Sequence, residues 1–256
     1  MSTTDDLSAA RTNRGGTPDA LRARASVFAM LARLLGPDPS GIARGDAIDG
    51  LRDALEDAQA TRCLAVLDRV CDDVAAGPFD HDLQVLTGRW IRWFDQGRIP
   101  PYEGSNVAGN AGGVTPRLAD VAGFYRALGV RVRGDRPDHV VAELEFMALL
   151  LLREADATES DDRDTREVCD EVARAFLRDH LGTWLEGWAA RVGSQPDLAP
   201  WATVATVAAA FVELEARQRN VVPLRSSAVL ADENPLSIDD PDLPVCGDSD
   251  PDAFDG

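Results

Sequence analysis

The stretch that decides the fold runs from Asp138 to Ala155 and reads DHVVAELEFMALLLLREA. Its large apolar residues recur at intervals of three and four, which places them on one face of a helix. The residues of that face are Val140, Leu144, Met147 and Leu151. Strand-like alternation is absent from the stretch, so we expect a helix that buries this face.

The same period extends in both directions from this segment, and we predict an all-α helical bundle of about eight helices. Thr17 followed by Pro18 is typical of a helix N-cap and first turn, and Gly36-Pro37 predicts the end of that helix. The run Ala202–Leu214 is apolar all round, which indicates a buried helix rather than one lying on a membrane. Besides the helix within 138–155, the predicted helices cover residues 20–35, 46–58, 62–76, 80–96, 116–128, 161–192 (bent near Gly182) and 201–219.

Composition suggests how the chain is divided. We expect a disordered N-terminal tail over 1–18, a helical domain over 19–220 and an acidic, disordered C-terminal tail over 221–256. Within the domain, the Gly- and Pro-rich loop 97–116 is a candidate hinge between two packed halves. These halves are residues 19–96 and 117–220.

Charge excludes some classes of partner. All 26 cationic residues are Arg, there is no Lys, and 44 acidic residues leave a net charge of −18. Such a surface suits a salt-rich cytoplasm, where counterions screen the repulsion between carboxylates. It disfavours nucleic acid, which requires a basic surface. The longest uncharged run, Leu198–Val212, is too short for a membrane span, so we expect a cytoplasmic protein without stable membrane insertion.

Signals for a metal or a catalytic site are weak. His139 and Glu143 share a helix face, and with His180 they could form a metalloprotein site, which is one alternative function. The four cysteines, Cys63, Cys71, Cys169 and Cys246, lack metal-ligand spacing and are expected as core thiols. No hydrolase elbow or phosphate loop is recognisable, so we expect neither catalysis nor a cofactor.

Two polar, Pro-containing segments stand beside a group of aromatic residues. One contains Tyr102 and Glu103; the other is Pro137-Asp138-His139, in which Asp138 would cap the helix and His139 would project from its first turn. One interpretation is a capped helix beside an aromatic core. The other is an apolar groove with acidic groups at its mouth, suited to a cationic amphipathic peptide. The aromatic residues are Trp90, Trp93 and Phe94.

Three segments of the chain resemble the TorD/DmsD/NarJ family. They are PPYE at 100–103, PDHVVAELEFM at 137–147 and FLRDHLGTWL at 176–185. Members of this family are all-helical cytoplasmic chaperones that mature molybdenum-cofactor oxidoreductases. The resemblance implies a chaperone that binds the twin-arginine signal or N-terminal segment of the catalytic subunit of a molybdopterin oxidoreductase.

The resemblance also implies which residues recognise the peptide. It assigns recognition to Tyr102, Glu103, Pro137, Asp138 and His139. Arginines of the client would pair with carboxylates, and its apolar stretch would fill the groove. A permanent structural subunit of a reductase complex is the other alternative function. In the chaperone interpretation, the positions that would support peptide recognition are Trp90, Trp93, Phe94 and Glu143.

Overall fold

The structure is a computed structural model, and it describes residues 16–75, 82–107, 114–132 and 136–224. These residues form ten α-helices and no strand, which confirms the all-α prediction. The helices are α1 (Pro18–Leu35), α2 (Ser40–Arg44), α3 (Asp46–Asp57), α4 (Thr61–Ala75), α5 (Leu83–Trp90), α6 (Val114–Ala127), α7 (Val140–Glu159), α8 (Arg163–Asp179), α9 (Leu181–Gly193) and α10 (Ala199–Gln218).

The first helix begins and ends as its sequence predicts. The Thr17 hydroxyl accepts a hydrogen bond from the Ala20 N–H at 3.2 Å, and Pro18 occupies the first turn. Gly36 follows the last helical residue, Leu35. A side-chain cap and a proline act within one turn, which is why a local pattern is sufficient here.

One feature of the helices was predicted only in part, as a bend near Gly182, and another was not predicted. The segment expected over 161–192 is two helices, because the backbone at His180 leaves the helical region at φ −125° and ψ −101°. Gly182 allows the Leu177 carbonyl to approach, since a Cβ there would lie 2.3 Å from its oxygen. After α5, residues Ile91–Asp95 continue as a π-helix, a rare form that sequence periodicity does not reveal.

The core forms where α1, α7 and α10 pack together with α9. Phe28 of α1 lies edge-on to Phe211 of α10, with the ring centroids 5.0 Å apart. By length and composition the segment Pro196–Gln218 could cross a membrane, but 56% of its most apolar window is buried inside the bundle. This segment therefore packs as a core helix, as its apolar run predicted.

Several expectations fall partly or wholly outside the described residues. They concern residues 1–15, the segments 76–81, 108–113 and 133–135, and the tail 225–256 with Cys246. The division into two halves about a hinge stays a prediction. Of the remaining cysteines, Cys63 and Cys169 are buried as expected and Cys71 is half-buried.

Candidate functional site

The two polar segments are joined in space by backbone hydrogen bonds. Tyr102 and His139 form an isolated antiparallel bridge. The Glu103 N–H donates to the Asp138 carbonyl at 2.8 Å, and the Val140 N–H donates to the Pro101 carbonyl at 2.9 Å. The loop before α6 is thus fastened to the first turn of α7.

His139, not Asp138, caps α7. The His139 Nδ1 accepts a hydrogen bond from the Val141 N–H at 3.1 Å. The Asp138 carboxylate accepts from the Gly104 N–H at 3.0 Å and from two nitrogens of Arg136 at 3.0 and 2.8 Å. The prediction that Asp138 caps the helix is wrong, because its carbonyl and carboxylate are both committed to the loop.

Glu103 is 0% exposed and lies beneath its own loop. Its carboxylate receives Arg117 of α6 at 2.8 Å and contacts the His180 Nδ1 at 3.1 Å. Arg117 also donates to the Asp179 carbonyl at 2.8 Å. These contacts hold the loop against the residues between α8 and α9.

Glu143 is a third buried carboxylate close to this loop. Its Oε2 accepts the Trp184 indole N–H at 3.1 Å, whereas its Oε1 has no hydrogen-bond partner among the described residues. Burial, followed by the neighbouring charge of Glu103, raises the pKa of the Glu143 carboxyl well above its usual range. The expectation of acidic groups at the mouth of a groove is wrong for Glu103 and Asp138, because both are fully buried, as is Glu143.

A cleft of about 820 Å³ lies beside this loop. Trp90, Tyr125 and Phe146 supply aromatic surface, and Tyr102 and His139 belong to its wall. Sequence reasoning missed several of its lining residues, although four of them, Val141, Ala142, Glu145 and Phe146, lie within the segment 137–147 that it singled out. The lining residues that it missed are Pro37, Tyr125, Val130, Arg131, Val132, Arg136, Val141, Ala142, Glu145, Phe146 and Leu149.

The wall of the cleft is built by stacking. The Arg136 guanidinium lies 4.0 Å from the centroid of the Tyr102 ring, and the Tyr102 and His139 rings meet edge to face at 5.1 Å. Burial lowers the pKa of His139 to about 4, so its imidazole is neutral at pH 7. Since Nδ1 accepts a hydrogen bond, the ring proton of the neutral form is on Nε2.

The other predicted site residues have different surroundings. Pro137 uses its carbonyl to accept the Tyr125 hydroxyl at 2.9 Å. Phe94 is 2% exposed and packs against Trp188 and Trp201, at centroid distances of 5.8 and 6.1 Å. Trp93 stacks under Arg98, and neither Trp93 nor Phe94 lines the cleft, whereas Trp90 does.

The proposed metal ligands do not come together. Within residues 16–75, 82–107, 114–132 and 136–224, no group of three or more His, Cys, Asp or Glu side chains could hold a metal ion. His139 caps α7, Glu143 accepts from Trp184 and His180 contacts Glu103. Each is engaged in a separate structural contact.

Comparison with known proteins places residues 46–190 in the family described as the nitrate reductase delta subunit. A chlorate reductase assembly chaperone protein of Ideonella dechloratans is 38% identical over 116 residues, covering 43% of this chain and 58% of its own. A selenate reductase assembly chaperone protein of Thauera selenatis is 34% identical over 107 residues, covering 40% and 54%. The chain therefore spans little more than half the length of either relative. No solved structure gives a significant match.

Proposed function

Because the chain belongs to the nitrate reductase delta subunit family, we propose that it is a cytoplasmic assembly chaperone for the catalytic subunit of a molybdopterin oxidoreductase. In this proposal the protein catalyses no reaction and holds the client while it folds and receives its cofactor. The names of the chlorate and selenate reductase relatives support a reductase as client. The observation that carries the proposal is the aromatic cleft beside the joined Tyr102 and His139 segments.

We propose that the N-terminal, twin-arginine region of the client binds in this cleft through its apolar stretch. Tyr102, His139 and Trp90 would contact it directly, with Pro137 ordering the turn between them. Each large apolar side chain that becomes fully buried contributes about 1.5–3 kcal/mol. Two or three such side chains, less the cost of ordering the peptide, are compatible with micromolar affinity, which corresponds to about 8 kcal/mol.

The buried predicted residues would act on the peptide indirectly. Glu103 and Asp138 fix the loop that forms one wall, and Glu143 lies beneath it. Trp93 and Phe94 hold the π-helical turn that follows Trp90. A residue that positions a wall changes affinity by moving that wall, so its substitution also changes stability.

The client's arginines need acceptors other than the buried carboxylates. Glu145 is exposed and lines the cleft, so its carboxylate is available to one of them. The net charge of −18 would also speed the approach of a cationic segment, though concentrated salt reduces this benefit. At high salt, apolar contact would supply most of the affinity.

Isothermal titration tests the proposal directly. The titrant is the N-terminal segment of a molybdopterin oxidoreductase catalytic subunit from the same organism, and a scrambled peptide is the control. We expect saturable binding of the native segment, weakened at least about tenfold by Tyr102→Ala and unchanged by Leu152→Ala, which alters an exposed residue outside the cleft. Equal binding of native and scrambled peptides would contradict the proposal.

A further inference from the structure

The cleft carries hydrogen-bond donors that have no acceptor in the described part of the chain. The Trp90 side chain is 8% exposed and lines the cleft, and its indole N–H is buried without a partner. His139 is half-buried, and within the described residues its hydrogen bond is made through Nδ1, so its Nε2–H is available to an acceptor in the cleft. Buried donors are nearly always satisfied in folded proteins, so the Trp90 N–H, which belongs to the lining, is available to an acceptor that enters the cleft.

The charged residues of the lining differ in how they are paired. Arg136 forms an ion pair with Asp138 and stacks on the Tyr102 ring. Arg131 is exposed and forms no ion pair within the described residues. Glu145 is the one acidic side chain that lines the cleft among the residues that the structure describes. Among the described residues, the cleft thus offers one guanidinium without an ion pair, the buried Trp90 N–H and one carboxylate to receive cations.

We propose that the cleft recognises an apolar client segment that carries a carboxylate side chain, with Arg131 as the residue that selects it. The Trp90 and His139 N–H groups donate to main-chain carbonyls of the same segment. The inference rests on the proposed function and adds to it the chemistry of the segment that the cleft prefers. The client's arginines do not contact Arg131. They face Glu145 and the acidic surface of the protein outside the cleft.

Charge and hydrogen bonding both favour this occupant. An arginine side chain of the client offers only donors, so it could not accept a hydrogen bond from Arg131 and would place two guanidinium groups together. A carboxylate pairs with Arg131 in a charge-assisted, bidentate manner. An asparagine of the same shape can accept a hydrogen bond but has no charge, so it separates the two contributions.

Nuclear magnetic resonance of indole N–H groups provides the test. Three short peptides of leucine, alanine and serine, identical except for a central Asp, Asn or Arg, are titrated into the full-length protein. Trp90→Phe assigns the Trp90 indole signal by its disappearance. We expect the Asp peptide to shift this signal and to bind at least about tenfold more tightly than the Arg peptide, with the Asn peptide between them.

Substitution of Arg131 identifies the selecting residue. In Arg131→Gln the Asp and Asn peptides should bind equally, whereas the exposed Arg92→Gln, outside the cleft, should keep the preference. Retention of the full preference in Arg131→Gln overturns the inference. Tighter or equal binding of the Arg peptide, or no binding of any of the three, overturns it as well.

The two proposals fail in distinguishable ways. If the client's N-terminal segment binds the wild-type protein but the three short peptides show no preference for Asp, the inference about the carboxylate is wrong and the chaperone function stands. If the client segment does not bind at all, the proposed function is wrong. The order of affinities of the three peptides then shows only which side chain the cleft prefers.

Discussion

Two clusters of buried charged side chains lie in the described part of the bundle, and they differ in how completely their charges are paired. The balanced cluster joins α1, α7, α8 and α10. Arg219 donates to Glu154 at 2.6 Å and to Glu215 at 2.7 Å, and it also reaches Asp170. Arg24 donates to the same Glu215 at 2.9 Å. Each guanidinium has a carboxylate partner.

The carboxylate-rich cluster lies under the loop beside the cleft and comprises Glu103, Asp138 and Glu143, all fully buried. Arg117 and Arg136 pair with the first two, but their side chains remain 20% and 34% exposed. Glu143 has no ion pair among the described residues and accepts one hydrogen bond from Trp184. Both clusters therefore set three carboxylates against two arginines, but here all three carboxylates are fully buried and one of them, Glu143, has no arginine partner among the described residues, whereas every carboxylate of the balanced cluster pairs with an arginine.

The pKa shifts follow the pairing only in part, because burial raises the pKa of Glu154 in the balanced cluster although Arg219 pairs with it. Burial alone would raise the pKa of Glu215, but Arg24 and Arg219 lower it below its ordinary value. Burial raises the pKa of Glu143, and no arginine reverses the effect. The carboxylate with two arginine partners, Glu215, thus has a lowered pKa and the unpaired Glu143 a raised one, so we expect the balanced cluster to serve stability and the titration of Glu143 to make the cluster beside the cleft sensitive to pH.

The largest effect is expected from breaking the balanced cluster with Arg219→Met. This change leaves Glu154 and Glu215 buried with fewer cations, and we expect a loss of about 3–5 kcal/mol in the free energy of unfolding. Denaturant titration monitored by helical circular dichroism measures it. Arg217→Met is the matched control on the same helix, since its pair with Glu213 is exposed and worth at most about 1 kcal/mol. Equal losses in the two variants would contradict the assignment.

A smaller loss is expected from Glu103→Gln in the carboxylate-rich cluster. Arg117 keeps the Asp179 carbonyl and access to solvent, so the cost in stability should be about 1–3 kcal/mol. Because the loop loses its anchor, affinity for the client segment should also fall. Titration calorimetry beside the unfolding curve checks both effects. A loss of stability with unchanged affinity would show that this loop is not a wall of the binding site.

His139, in the wall of the cleft, should make the stability of the protein depend on pH, and the direction of this dependence is opposite to that expected from Glu143 below it. The pKa of His139 falls from an ordinary 6.5 to about 4 in the folded state, so stability is complete above pH 6.5 and is lost as the pH decreases toward 4. The slope from this one group is at most about 1.4 kcal/mol per pH unit. His139→Asn retains a capping side chain and should flatten the stability curve between pH 6.5 and 4. An unchanged slope would show that His139 is not the group responsible.

The smallest change that we expect is a gain in stability from Glu143→Gln. Since the folded state raises the pKa of Glu143, the stability contribution of this group is present below its ordinary pKa of 4.5 and is lost as the pH rises. The amide can still accept the Trp184 N–H, so the variant should unfold at higher denaturant concentration near neutral pH, and the difference should shrink toward pH 4. A loss of stability at pH 7 would mean that the charged carboxylate is favourable there.

The fold was largely predictable because helical periodicity is local. The period of α7 and the cap at Thr17 depend on residues a few positions apart. A bend near Gly182 was predicted, but the complete break at His180 was not, since it depends in part on neighbours distant in sequence, such as Pro223 beside Gly182; the π-helix after Trp90 was missed. Periodicity carries no information about those contacts.

The site was only partly predictable. The resemblance assigned Tyr102 and His139 to the same site, and in the structure the two residues are paired in one wall of the cleft. It could not show that Glu103 is buried, because the partner His180 lies 77 positions away and acidic residues are exposed by default. Tyr125 and Phe146 were missed because aromatic residues on a helix are more often core than lining.

Filling the cleft tests the central claim most directly. Ala142 lines the cleft and belongs to neither charged cluster, so Ala142→Trp should occupy the binding volume and leave both clusters intact. Leu152→Trp, on the same helix but outside the cleft, is the control. Titration calorimetry with the client's N-terminal segment should show at least about tenfold weaker binding for Ala142→Trp, with an unchanged unfolding midpoint and no effect of the control. Wild-type affinity in a folded Ala142→Trp protein would contradict the account, because the client would then bind elsewhere.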